Sequence, residues 1–182
     1  MRTDKRISKL IFFVFLFSLV VLLLKNDAIS KETKTKQLFQ VYGLVIVKHD
    51  FKIYLKQGNE IIKKYPIAVG KYYGDKQKEG DCRTPEGEFF VNRIENSRNW
   101  VHDFKDGKGT IKGAYGPWFF GLYTGADRTV IKKSWKGIGI HGTHDPSSIG
   151  KMVSEGCIRM RNEDIEELRK FVKIGTPVSI GK

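Results

Sequence analysis

From residue 42 onward the chain is punctuated like a meander of short strands, and no other feature narrows its fold so far. Tyr42 to His49 is apolar and β-branched, Phe51, Ile53 and Leu55 alternate with polar residues, Gly58-Asn59 supplies a turn, and Glu60 to Val69 returns as a third strand. Residues two apart on a strand share a face, so this alternation buries one side of a sheet. Asp81 to Gly87 reads as loop and Glu88 to Ile94 as a further strand. The stretch 95–117, with Gly107, Gly109, Gly113 and Gly116, reads as irregular backbone over or beside a cleft. One helix is expected near the carboxyl end. Asn162 caps it, Glu163 and Asp164 complement its dipole, Ile165, Leu168 and Val172 share a face, and Lys173 and Gly175 mark the stop. A last strand, Thr176 to Ile180, follows. The fold class is therefore mainly β with a helix packed on a sheet.

The amino terminus has a different character. Arg2, Lys5, Arg6 and Lys9 precede a fifteen-residue apolar run, Leu10 to Leu24, broken only by Ser18. A basic region followed by such a run reads as a secretory signal peptide or a short signal anchor over residues 1–27. As a helix the run is ~22 Å long, short of the ~30 Å hydrocarbon core of a bilayer. Asn26-Asp27-Ala28 is the best match to a cleavage site, with Asn where a small residue is wanted. Residues 28–39 form a polar linker, and 40–182 is long enough for one domain with a real core.

The formal charge of +13 divides into +5 over residues 1–36 and +8 over the rest. A basic balance suits an anionic polymer, and export favours a carboxylate-rich cell wall over nucleic acid. No nucleic-acid motif accompanies the charge, whose Lys and Arg are interspersed with Asp and Glu. The two cysteines, Cys82 and Cys157, are read as thiols, because a small exported domain stabilised by disulfides usually holds more of them.

The chemistry concentrates at Cys157, in Ser154-Glu155-Gly156-Cys157-Ile158-Arg159-Met160, and at His141, in Ile140-His141-Gly142-Thr143. A thiolate is the nucleophile of cysteine catalysis, and a neighbouring imidazole can take the thiol proton. Both residues lie beside glycine, where backbone can approach a substrate closely. On a strand ending at His141, Ile138 and Ile140 point one way and His141 the other, so the imidazole can face a cleft. Arg159 shares a face with Cys157 and can lower the thiol pKa or grip a carboxylate. Backbone N–H groups at Gly156 and Cys157 are candidate oxyanion donors, with Ser154 assisting and Gly142 allowing close approach. Metal binding by His141, His144, Cys157 and Asp145 is disfavoured, since only Asp145 offers a fourth ligand, and no cofactor is expected. Gly137-Ile138-Gly139-Ile140-His141-Gly142 matches a dinucleotide-binding pattern by letter, but it opens no helix.

These segments, together with Lys52-Ile53-Tyr54-Leu55, Tyr65-Pro66-Ile67-Ala68-Val69-Gly70, Arg83-Thr84-Pro85-Glu86-Gly87-Glu88-Phe89 and Gly175-Thr176-Pro177-Val178, resemble the L,D-transpeptidase catalytic domain of bacterial cell-wall enzymes (YkuD-type). The resemblance spans residues 40 to 181 and implies a β-sandwich or barrel-like domain. It also implies acyl transfer on peptidoglycan stem peptides: Cys157 attacks after the L-centre of the third, diamino residue, D-alanine leaves, and an amine of another stem or of a protein resolves the acyl-enzyme. Many members carry a second histidine directly before Gly-Cys, where this chain has Glu155. A hydrolase of the same fold with water as acceptor, and a non-catalytic wall-binding module, are the alternatives. The expected location is extracytoplasmic, in the periplasm or cell envelope, with contact to the membrane through the apolar segment.

Overall fold

The computed structural model describes residues 18–27, 29, 42–104, 107, 109–123, 135 and 137–182. Two compact units divide the chain after Val41. In the first, residues 18–27 are helical, with Leu19, Leu22, Leu23 and Leu24 exposed. The remainder of the apolar run, 10–17, and most of the linker, 30–39, lie outside the described residues. Among the described residues no helix is long and apolar enough to cross a membrane.

The second unit begins with the expected meander, β1 (Tyr42–Val47), β2 (Lys52–Gln57) and β3 (Glu60–Gly70). Its register explains the alternation in the sequence. Leu44 pairs with Leu55 and Ile46 with Ile53, so all four side chains meet on one face and all four are buried. β4 (Gly87–Asn96) follows the 71–86 loop. The glycine-rich stretch after it holds a two-stranded hairpin, β5 (Val101–Asp103) and β6 (Thr110–Lys112), which local pattern does not reveal because each strand is only three residues long. β7 (Trp118–Tyr123), β8 (Gly139–His141), β9 (Met152–Ser154) and β10 (Ile158–Met160) come next. The helix α1 (Asn162–Leu168) and β11 (Pro177–Gly181) complete the unit.

Among the described residues nine strands form one sheet in the order β10-β8-β7-β4-β11-β1-β2-β3-β9, and β10 also pairs with β3, so the sheet curls until it closes. The fold is mainly β and barrel-like. Closure removes sheet edges that would otherwise invite foreign strands. It also brings the meander against the strands that flank Cys157. β11 runs parallel beside β1, with Val178 opposite Leu44 and Ile180 opposite Ile46, which extends the same buried rows. α1 adds Ile165 and Leu168 to this core, each fully buried and contributing about 1.5–3 kcal/mol. The helix ends at Leu168, one turn earlier than its apolar spacing suggests, although Val172 is buried as expected.

A buried cation sets the loop before β4. Lys48, 4% exposed, pairs with Glu86 at 2.7 Å and donates to the carbonyls of Gly74 (2.8 Å) and Thr84 (3.1 Å). Those three acceptors match the three N–H donors of an ammonium. The 74–86 segment is thereby tied to the end of β1.

Candidate active site

β8 and β10 run parallel, with Ile140 opposite Ile158 and His141 opposite Arg159, and β7 flanks β8 with Phe119 opposite His141. Ile140 is fully buried in the core, while His141 lines a cavity whose wall Ile138 shares. The imidazole stacks on Phe119 (centroids 5.7 Å, planes 11° apart) and meets the edge of Tyr115 at 4.8 Å. Gly139 is the notch that admits the supporting ring: a Cβ there would lie 2.4 Å from Phe119 Cζ.

The His141 Nδ1 lies 2.5 Å from the Gly142 carbonyl oxygen. A carbonyl only accepts, so Nδ1 carries the proton and Nε2 keeps its lone pair. This orienting group belongs to the backbone and is invisible in the residue letters. The Gly142 peptide is held in turn, its N–H donating to Trp118 O at 3.3 Å and the following N–H, of Thr143, to Asn162 Oδ1 at 2.9 Å. Asn162, expected as the helix cap, is instead the first helical residue. Arg161 occupies the cap position, and no side chain caps the helix there. The Asn162 amide oxygen is engaged with Thr143, where it braces the histidine loop. Gly142, expected to admit substrate, is required by this packing: a Cβ would lie 2.4 Å from Asn162 Oδ1 and 2.8 Å from Pro117 Cδ.

Cys157 precedes β10, and its thiol donates to Gly137 O at 3.2 Å. Cys157, His141, Arg159, Lys76, Tyr115 and Trp135 line one cavity of about 350 Å³. The turn before the thiol is clamped by Ser154, whose hydroxyl donates to Cys157 O at 2.5 Å and accepts from Gly156 N–H at 3.1 Å. Both groups expected to assist an oxyanion, the Gly156 N–H and the Ser154 hydroxyl, are thus engaged with each other inside the turn. Gly156 has φ +128°, and a Cβ there would sit 2.9 Å from Arg83 O. Thr84 spans the gap between loops: its hydroxyl accepts from Gly70 N–H at 2.8 Å and donates to Gly156 O at 3.0 Å. Sequence reasoning assigned no contact to Thr84 and read Asn162 only as a helix cap.

Burial dominates the electrostatics. It pushes the His141 imidazole down to about 3, with the Gly142 carbonyl opposing and Arg159 adding to the effect. It pushes the Cys157 thiol up to about 11, although the Gly139 backbone N–H and Arg159 favour the thiolate. Glu155 adds to the rise. The resting pair is therefore a neutral thiol and a neutral imidazole.

A neighbouring cavity of about 350 Å³ holds Lys71, Cys82, His144, Asp145 and Ser154, and shares Phe104, Glu155 and Arg159 with the first. Arg159 is 7% exposed and lies over the Phe104 ring at 4.9 Å. His144 stacks on the same ring and faces Ala114 O at 3.3 Å, which removes it from the thiol cavity. Glu155 pairs with His102 Nε2 of β5 at 3.0 Å. Cys82 and Cys157 are both free thiols. Among the described residues no cluster of three His, Cys, Asp or Glu side chains is placed to hold a metal ion.

The L,D-transpeptidase catalytic domain model (YkuD) matches residues 41–180, and the chain belongs to this family. It is 38% identical over 128 residues to the L,D-transpeptidase candidate YkuD of Bacillus subtilis (strain 168), covering 70% of this chain and 58% of that protein. Against the corresponding candidate of Bacillus licheniformis it is 36% identical over 140 residues, covering 76% of this chain and 65% of the relative. The chain thus spans less than two thirds of either relative's length. The catalytic domain of an E. faecium L,D-transpeptidase superposes with a TM-score of 0.54 at 19% identity, over 78% of this chain and 98% of that one. That likeness is one of fold.

Proposed function

We propose that this protein is a cysteine acyltransferase acting on peptidoglycan stem peptides, an L,D-transpeptidase in activity as well as in family. The observation that carries the reading is the placement, in the wall of one cavity, of the Cys157 thiol and of an imidazole whose protonated nitrogen is held by a backbone carbonyl. His141 Nε2 takes the thiol proton as sulfur attacks the peptide carbonyl, and the imidazolium then protonates the departing amine. With the Gly156 N–H engaged by Ser154, the developing oxyanion falls to the backbone N–H groups of Cys157 and of Gly139, the latter already favouring the thiolate. Arg159, in register with His141, supplies positive charge for a substrate carboxylate. Residues 1–27 serve as export signal or anchor and 28–39 as linker, which carries the domain at 40–182 to the extracytoplasmic wall.

The test is to incubate the full chain with wall material, digest, and resolve muropeptides by mass. New dimers with loss of D-alanine are expected. Shortened monomers without dimers would assign water as the acceptor, and no change, or equal change with Cys157→Ala, would refute the reading.

A further inference from the structure

The thiol cavity holds a second cation that the proposed chemistry has not used. Lys76 lies in the 71–86 loop, is 4% exposed, and lines the cavity together with Cys157 and His141 but not the neighbouring one. Its ammonium sits over the Trp135 ring at 5.3 Å and donates to Asp81 Oδ1 at 2.7 Å. Asp81 is already well satisfied, since its carboxylate also accepts from the backbone N–H groups of Gln77 (2.7 Å), Lys78 (3.2 Å) and Arg83 (3.1 Å). Burial raises the Asp81 pKa, but Lys76 and these N–H groups together pull it well below the usual carboxylate range. The carboxylate therefore acts as a fixed anchor for the loop and for the lysine stem, and it takes one of the three ammonium donors. The cavity's own carboxylates, Glu79 and Glu155, lie exposed at the rim, where water screens them, and Glu155 is paired with His102. A buried cation beside a nucleophile, with donors to spare, is built to receive an anion.

We propose that Lys76 binds the carboxylate next to the amine that leaves, and next to the amine that attacks, so that the enzyme selects acceptors of the amino-acid type over isolated side-chain amines. This rests on the acyl-transfer reading above. In that reading the leaving D-alanine carries its carboxylate one carbon from the departing nitrogen, so nitrogen at the sulfur places the carboxylate elsewhere in the same small cavity. Arg159, in the wall common to both cavities, is left for a carboxylate of the acyl part. In the second half-reaction the acceptor nitrogen forms its bond to the thioester carbon as the C–S bond breaks. Its proton passes to His141 Nε2 and then to the departing sulfur. The attacking nitrogen occupies the place the leaving nitrogen had, and a carboxylate beside it reaches the same ammonium. A free amino acid, or the α-amino end of a diamino residue with a free carboxylate, meets this requirement. The ε-amine of a lysine within a protein does not.

The experiment uses the full chain, a stem tetrapeptide donor, and D-alanine against D-alaninamide as competing acceptors, one of them isotopically labelled, with products read by mass. Wild type is expected to favour D-alanine by about tenfold or more, the scale of a charge-assisted hydrogen bond. The preference should fall to near one in Lys76→Met and return in Lys76→Arg. Equal use of the two acceptors by wild type overturns the proposal even if no variant folds, and so does a preference that survives in Lys76→Met. Absence of any transfer or D-alanine release from the donor would instead overturn the acyl-transfer reading, and the role of Lys76 with it.

Discussion

Gly142→Ala tests whether the histidine is positioned by the brace behind it. A methyl at 142 would lie 2.4 Å from Asn162 Oδ1, 2.8 Å from Pro117 Cδ and 3.0 Å from Gly116 Cα, so something must move. The element with most freedom is the Asn162 side chain, and moving it strips the acceptor from the Thr143 N–H, whose residue is 1% exposed. Overpacking costs about 1–3 kcal/mol, and an unsatisfied buried donor costs a further ~1–3 kcal/mol. Together they come to about 2–6 kcal/mol, which leaves a domain in the middle of the ordinary range of about 5–15 kcal/mol folded. The Gly142 carbonyl moves with its peptide, and a displacement of about 1 Å at the imidazole costs on the order of a hundredfold in rate. Urea unfolding reports the first effect, and the rate of Cys157 acylation by a carbapenem, followed by mass, reports the second. Asn162→Ala removes the closest clash, so the cost of Gly142→Ala should shrink by about 1 kcal/mol or more in that background. Strict additivity of the two substitutions, or a Gly142→Ala protein with wild-type stability and acylation, would refute the reasoning.

Ser154→Ala removes the clamp on the thiol turn and leaves the Gly156 N–H without its acceptor, so a loss of about 1–3 kcal/mol in urea unfolding and slower acylation are expected. Lys48→Met leaves Glu86 without its partner and frees the 74–86 loop, with an expected cost of about 3 kcal/mol and faster proteolysis within that loop. Glu155→Gln removes one of the influences that raise the thiol pKa, so alkylation of Cys157 by iodoacetamide at fixed pH should quicken. His141 makes stability depend on pH. Its pKa falls from 6.5 in the unfolded chain to about 3 in the fold, so between those values the unfolded state holds more protons and stability declines as pH drops. Its share of the slope approaches about 1.4 kcal/mol per pH unit and should vanish in His141→Gln, as measured by urea unfolding between pH 6.5 and 4.5.

The meander was legible because Leu44, Ile46, Ile53 and Leu55 alternate strictly with wetter residues, and a period of two leaves one choice of buried face. The short strands β5, β6, β8, β9 and β10 carry three residues each, too few to establish a period; β5 and β6 hold each other in a local hairpin, while pairing with distant strands holds β8, β9 and β10. His141, Cys157 and Arg159 stood out by residue type and by neighbouring glycines, and the parallel β8–β10 register is what sets His141 beside Arg159. The carbonyl that orients His141 has no letter of its own. Asn162 carried a misleading signal, because the residue that suits a helix cap also suits a brace for Thr143, and only tertiary contact decides between them. Thr84, between Gly70 and Gly156, and Lys48, buried under the 74–86 loop, looked like ordinary polar residues of a loop and a strand end. Their partners lie 14 to 72 residues away along the chain.

The intact mass of the full chain after exposure to a carbapenem tests most directly whether residue 157 is the nucleophile and residue 141 its base. Wild type should gain the mass of one acylating molecule, Cys157→Ala should gain none, and His141→Gln should be acylated about 10²- to 10⁴-fold more slowly. An adduct that persists in Cys157→Ala, or His141→Gln acylated at the wild-type rate, would contradict the account.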